Sequence, residues 1–316
     1  MHLLSAHTRR VLLSFTALLA FCLPTHADTC ARGTEYCGFF YQQGVFHSYT
    51  FAGARRTDIY GINDAGDFVG VGVVGNDYLS FYHHNGTDTQ ILYPGSTYTL
   101  VNGISNNGEI VASYHATVDA PTQAMTYFQG SYQSFNYPGA MNTTGGGVND
   151  AGQVIGSYQI SKDSKNTVHG YLKTGDVFTS IDYPGASDTS AFGINNLGQV
   201  VGYYDVGRSV YGYLDNHGVF TTIAFPGASF TQAWDINDSG EIVGLYYLND
   251  VEHGFIYYGG KYSSFDIGRS DALFAINNQG DIAGSYYPSG APEPSTLVLL
   301  GSAILGSFGV KWRFRF

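Results

Sequence analysis

Six copies of one ten-residue phrase limit what this chain can fold into. They stand at residues 61–70 (GINDAGDFVG), 103–112 (GISNNGEIVA), 147–156 (GVNDAGQVIG), 193–202 (GINNLGQVVG), 235–244 (DINDSGEIVG) and 275–284 (AINNQGDIAG). Each reads as a short apolar strand, an Asn/Asp-x-Gly turn and a second apolar strand, the pattern of a β-hairpin with a type I turn closed by glycine. The turn glycines Gly66, Gly108, Gly152, Gly198, Gly240 and Gly280 stand 42, 44, 46, 42 and 40 residues apart. Self-similarity at such a period is the mark of a repeat architecture.

Between hairpins comes a second pair of strands. One copy is His169-Gly170-Tyr171-Leu172, a turn at Gly175, then residues 177–183 and Pro184-Gly185-Ala186. Related text recurs at 211–214 with Phe225-Pro226-Gly227-Ala228, and at 253–257 with residues 265–268. Four short strands in about 43 residues is the arithmetic of a propeller blade. The expected fold is all-β, a six-bladed β-propeller. With the strand ending in Gly-Ile-Asn innermost, the chain enters at the third strand of a blade and stops after a second strand. Residues 38–51 are therefore expected to complete the blade of residues 273–287, a two-plus-two clasp that closes the ring and leaves no long free edge.

Composition agrees with short strands and tight turns: 42 Gly against 9 Pro, with 12% charged residues. No long amphipathic helical pattern separates the two ends. The net charge of −11 repels phosphate backbones and excludes nucleic acid as a partner.

The ends read differently from the repeats. Residues 1–27 form a signal peptide: Arg9 and Arg10, an apolar run over 11–23, and a small-x-small site at Thr25-His26-Ala27. Export leaves Cys30 and Cys37 in the segment 28–37, where a disulfide is expected in an oxidising compartment. The repeat body spans 38–287. A linker, 288–296, carries Pro292-Glu293-Pro294, and residues 297–316 are an apolar run followed by Lys311, Arg313 and Arg315. That order resembles the PEP-CTERM sorting signal. The resemblance implies an exosortase-type protease acting at Pro292-Glu293-Pro294, transient membrane association through the tail, and a cell-surface or extracellular-matrix address in a Gram-negative bacterium. The body resembles the HAF-type extracellular repeats through His169-Gly170-Tyr171 and His253-Gly254-Phe255, each ahead of a Gly-Ile-Asn-like hairpin, although Gly stands where that motif has Ala.

No catalytic residue, metal set or cofactor motif stands out. The Asn/Asp turns lack the alternating carboxylates of a calcium loop. Among the histidines, His83-His84 is expected in a turn, and His169 and His253 at the start of equivalent strands. Thr57, Thr99, Thr143, Thr189 and Thr231 share one register where each blade hands over to the next, and are expected to bond the backbone there. Beside them, at the channel mouth, Arg55, Asp58, Tyr98, Asp188, Phe230 and Trp234 are the candidate ligand-binding residues, because aromatic faces with short polar groups suit sugar rings. The expected function is a non-catalytic binding module for extracellular polysaccharide or a surface protein. A propeller hydrolase or lyase acting on polysaccharide and a purely structural matrix component are the alternatives.

Overall fold

The structure, a computed structural model, describes residues 35–117, 119–160, 167–268 and 271–288. The expected signal peptide, Cys30, Pro292-Glu293-Pro294 and the apolar-basic tail lie outside the described residues. Among the described residues no helix is long and apolar enough to cross a membrane.

In chain order the strands are β1 (Cys37–Gln42), β2 (Val45–Tyr49), β3 (Arg56–Ile62), β4 (Phe68–Val74), β5 (Asp77–His84), β6 (Thr87–Gln90), β7 (Tyr98–Ile104) and β8 (Ile110–His115). They continue as β9 (Gln123–Phe128), β10 (Ser131–Phe135), β11 (Asn142–Val148), β12 (Val154–Gln159), β13 (Val168–Thr174), β14 (Val177–Ile181), β15 (Asp188–Ile194) and β16 (Val200–Val206). The last are β17 (Ser209–Asn216), β18 (Val219–Ile223), β19 (Phe230–Ile236), β20 (Ile242–Leu248), β21 (Val251–Tyr258), β22 (Lys261–Phe265), β23 (Asp271–Ile276) and β24 (Ile282–Tyr286).

These strands form antiparallel meanders of four: β3 to β6, β7 to β10, β11 to β14, β15 to β18 and β19 to β22. A further sheet has the order β2-β1-β24-β23, so the two ends of the repeat body share it. Its seam pairs Cys37 with Tyr286 and Tyr41 with Ile282. Cys37 is disulfide-bonded.

Six separate four-stranded sheets were expected, and the hydrogen bonding differs at one place. A parallel bridge, Val210 to Phe230, joins β17 to β19 and merges two meanders into one eight-stranded sheet, and a like bridge, Tyr36 to Arg56, stands just ahead of β1 without merging sheets. Val206 pairs with Ser209 across a two-residue turn, as Val74 does with Asp77 and Leu248 with Val251 in two other meanders.

The first turn of each repeat forms as its sequence dictates. Gly66 N donates to Asn63 O at 3.0 Å, Asn63 Oδ1 accepts from Ala65 N and Asp67 N, and Gly66 takes φ 83°. His83 and His84 depart from expectation: they end β5 rather than forming a turn. Asn85 and Gly86, at φ 49° and 73°, supply the two left-handed residues that such a tight hairpin needs, leaving the histidines in the strand.

Inner strand and neighbouring meander are tied at the handover. Thr57, Thr99, Thr143, Thr189 and Thr231 are buried, and each hydroxyl accepts the backbone N–H six residues earlier, from Phe51, Tyr93, Tyr137, Tyr183 and Phe225, at 3.0–3.1 Å. In the sixth copy Asp271 takes over, its Oδ2 accepting from Ile267 N at 2.9 Å and Gly268 N at 3.0 Å. Just past the outer strand, Tyr93, Tyr137, Tyr183 and Phe225 lie flat against Tyr114, Tyr158, Tyr204 and Tyr246, with ring centroids 3.6–3.9 Å apart. Burial of these rings between sheets holds neighbouring meanders together.

Candidate functional site: the central cavity

The inner strands β3, β7, β11, β15, β19 and β23 share an irregularity. Each loses register against its partner by one residue or more, immediately before or within the Gly-Ile-Asn phrase. A β-bulge leaves a residue unpaired and re-aims its side chain. The residues at this place are Tyr60, Asn102, Gly146, Phe192, Trp234 and Phe274, and all of them line one central cavity of about 410 Å³.

Four of these positions carry aromatic rings, on consecutive inner strands β15, β19, β23 and β3. Phe192 stacks on Trp234 at 4.4 Å, Trp234 meets Phe274 edge-on at 4.7 Å, and Phe274 meets Tyr60 at 4.9 Å. The rings form a continuous arc. The other two strands carry Asn102 and Gly146, and the wall there is polar: Ser113, His115, Thr122 and Thr144 also line the cavity. Asn102 Nδ2 donates to Gly145 O at 2.8 Å, and Ser113 Oγ accepts from Gly145 N at 3.1 Å. His115 is held through Nδ1 beside Ala120 O at 3.0 Å and Nε2 beside Thr122 Oγ1 at 3.3 Å.

Below the bulges the inner strands nearly touch. A Cβ on Gly103 would stand 3.1 Å from Gly146 O and 3.3 Å from Gly147 Cα. The glycine of the repeat is therefore a requirement of close backbone approach. Only β19 and β23 have side chains there, Asp235 and Ala275. The Asp235 carboxylate accepts Ile236 N through Oδ1 and Ile276 N through Oδ2, each at 2.9 Å. Burial without a cation raises its pKa to about 7, against the opposing effect of those two N–H groups.

The turns close the narrow end. Asp64, Asn106, Asp150, Asn196, Asp238 and Asn278 line the cavity in strict Asp/Asn alternation. Each backbone N–H donates to the next residue's Oδ1 at 2.7–2.9 Å, and the sixth returns to the first. Asn196 Nδ2 also bridges Asp150 and Asp238, 3.0 Å from each. Among the described residues no group of three or more His, Cys, Asp or Glu side chains is arranged to hold a metal ion.

Of the six residues singled out in the sequence, the structure brings Tyr98 and Trp234 to the cavity. The Tyr98 hydroxyl has its pKa pushed up to about 12 by burial. The indole Nε1 of Trp234 is buried with no hydrogen-bond partner. The other four are engaged elsewhere. Arg55 pairs with Glu35, Asp58 is buried against Arg56 at 2.7 Å, Asp188 Oδ1 accepts Val168 N at 2.7 Å, and Phe230 packs edge-on against Tyr247 at 5.3 Å. Asn102 and Asp235 were missed. Their signal was a departure from the repeat: an amide among aromatics, and an acid where Gly is the rule.

Six inner strands around one cavity, with first and last strands sharing a sheet, specify the architecture. The solved structures agree. TolB from Agrobacterium tumefaciens superposes with a TM-score of 0.59 at 11% identity, covering 80% of this chain and 98% of that one. The chain is a β-propeller. TolB from Acinetobacter baumannii matches this propeller with a TM-score of 0.51 at 8% identity, over 80% of this chain and 64% of that one. At such identities the likeness is one of fold. No protein-family model matches the sequence, and no curated protein does.

Proposed function

We propose that this propeller is an exported binding module that holds a saccharide in its central cavity without transforming it. Its eight-stranded sheet is read as two blades joined by one bridge, which makes six blades. The observation that carries the reading is the division of the cavity wall, an aromatic arc from Phe192 to Tyr60 facing the amide and hydroxyls of Asn102, Ser113 and Thr144. A sugar ring presents an apolar face for stacking and an edge of hydroxyls for hydrogen bonds, so it matches both walls.

The address supports the substrate class. Residues 1–27, read as a signal peptide, and a tail that resembles the PEP-CTERM signal support an address at the cell surface or in the extracellular matrix, with an exosortase-type protease and transient membrane association as the proposed route. Extracellular polysaccharide is then the natural ligand.

The test is binding of the intact protein to a glycan array and to native exopolysaccharide, with released reducing sugar followed in the same samples. Saturable binding without release, weakened at least tenfold in both Trp234→Ala and Tyr98→Ala, is the expected result. Sugar release would replace the binding module with a polysaccharide hydrolase or lyase. Absence of both would leave a structural matrix component.

A further inference from the structure

We propose that the central cavity selects a saccharide carrying a protonated amine, with Asp235 as the group that recognises it. This inference rests on the reading of the cavity as a saccharide site and names the ligand class within it.

The charge around the cavity is one-sided. Asp64, Asp150, Asp235 and Asp238 line it, and among the described residues no Lys or Arg does. Three of these acids are matched within the turn ring, where Asn106, Asn196 and Asn278 donate to them. Asp235 stands apart. Its two oxygens accept only the backbone N–H groups of Ile236 and Ile276. Each oxygen keeps a lone pair, and among the described residues no side-chain donor answers it.

Its placement suits contact with a ligand. Asp235 follows the bulge residue Trp234 in β19 and leans over Gly193, where a Cβ would lie 2.8 Å from Oδ1. The repeat leaves room for the carboxylate because the neighbouring strand carries glycine. Trp234, Phe192 and Phe274 line the same cavity. Aromatic faces attract ammonium groups as well as sugar faces, and a carboxylate withdrawn from water pairs strongly with a cation brought to it. A neutral hydroxyl at the same place leaves the negative charge uncompensated. The other titratable groups on the cavity wall are His115, Tyr60 and Tyr98 besides the three turn acids.

The high pKa of Asp235, about 7, provides a readout that a surface effect does not share. A ligand ammonium favours the ionised carboxylate, so binding near that pKa expels a proton. The experiment compares two β-1,4-linked tetrasaccharides, a glucosamine tetramer and cellotetraose, which differ in an ammonium or a hydroxyl at C2. Calorimetry on the intact protein at pH 5.5, where the glucosamine amines are already charged and Asp235 is still protonated, in two buffers of different ionisation enthalpy gives both affinity and proton release. The expected result is a preference of at least tenfold for the amine form, with proton release on its binding and none with cellotetraose. Asp235→Asn reduces the preference below twofold. Equal affinity in the unaltered protein, or a preference that persists in Asp235→Asn, overturns the inference and leaves the saccharide site intact. Failure of both tetrasaccharides to bind overturns the saccharide reading with it. Should Asp235→Asn not fold, proton release in the unaltered protein decides alone.

Discussion

Asn278 N donates to Asp64 Oδ1 at 2.8 Å across 214 residues of sequence, closing a ring of six like bonds around the channel axis. The side-chain amide of Asn278 reaches Asp64 Oδ2 as well, at 3.2 Å. These two bonds join the last hairpin to the first. Asp64→Ala removes both acceptors, and a stability loss of about 1–2 kcal/mol is expected. Urea unfolding measures it, and an unchanged midpoint would mean that closure resides in the strand seam alone.

Thr189 is buried, and its hydroxyl is the acceptor for Tyr183 N at 3.0 Å. Thr189→Val keeps the shape and deletes the oxygen, stranding an amide beneath the Tyr183 ring. The expected cost is about 1–3 kcal/mol. Thr189→Ser, which keeps the acceptor, is expected to cost less, and thermal unfolding of the pair separates the bond from the lost methyl group.

Asp235 and Asp271 give the fold a pH dependence of definite sign. Burial raises their pKa values to about 7 and about 6 from the ordinary carboxylate value of 3.8. The folded state therefore holds protons that the unfolded state releases. Their stabilising effect is fully present below pH 3.8 and is lost as pH rises through 6 and 7. Asp271→Asn keeps an oxygen for Ile267 and Gly268 and removes the charge. It is expected to raise the unfolding temperature at pH 8 and to leave it unchanged near pH 4. A gain of equal size at both pH values would show that charge is not the cause.

Gly202 in β16 faces the Ser190 carbonyl so closely that a Cβ would overlap that oxygen. Gly156 and Gly284 meet Thr144 and Ala272 in the same way. Here backbone rather than a movable side chain must yield. Gly202→Ala is expected to cost about 3 kcal/mol, whereas Gly218→Ser, at a turn open to solvent with φ 89°, is expected to cost less. Chemical unfolding of the two variants orders them.

The repeat made the strands and their order legible, because each Asn/Asp-x-Gly turn and each apolar run carries its own local chemistry. Even the handover threonines showed in register. The bridge from Val210 to Phe230 was hidden, since it joins two backbones and no side-chain pattern records it. The cavity was only half visible. Tyr98 and Trp234 stood out as aromatics, but Arg55, Asp58, Asp188 and Phe230 share their neighbourhood in sequence and are occupied by partners that no local pattern reveals. Asp235 and Asn102 were legible only as exceptions to the repeat. Departure from a repeat marks a functional position where repetition itself marks the scaffold.

The direct test of the cavity as the binding site is to fill it. Leu100 lines it from β7, half-buried and without a polar partner to lose. Leu100→Trp occupies the volume beside Asn102 and leaves the outer surface unchanged. Titration of the protein with native exopolysaccharide is expected to show affinity reduced at least tenfold, with an unfolding temperature close to that of the unaltered chain. Full affinity in a folded Leu100→Trp protein would contradict the central cavity as the site.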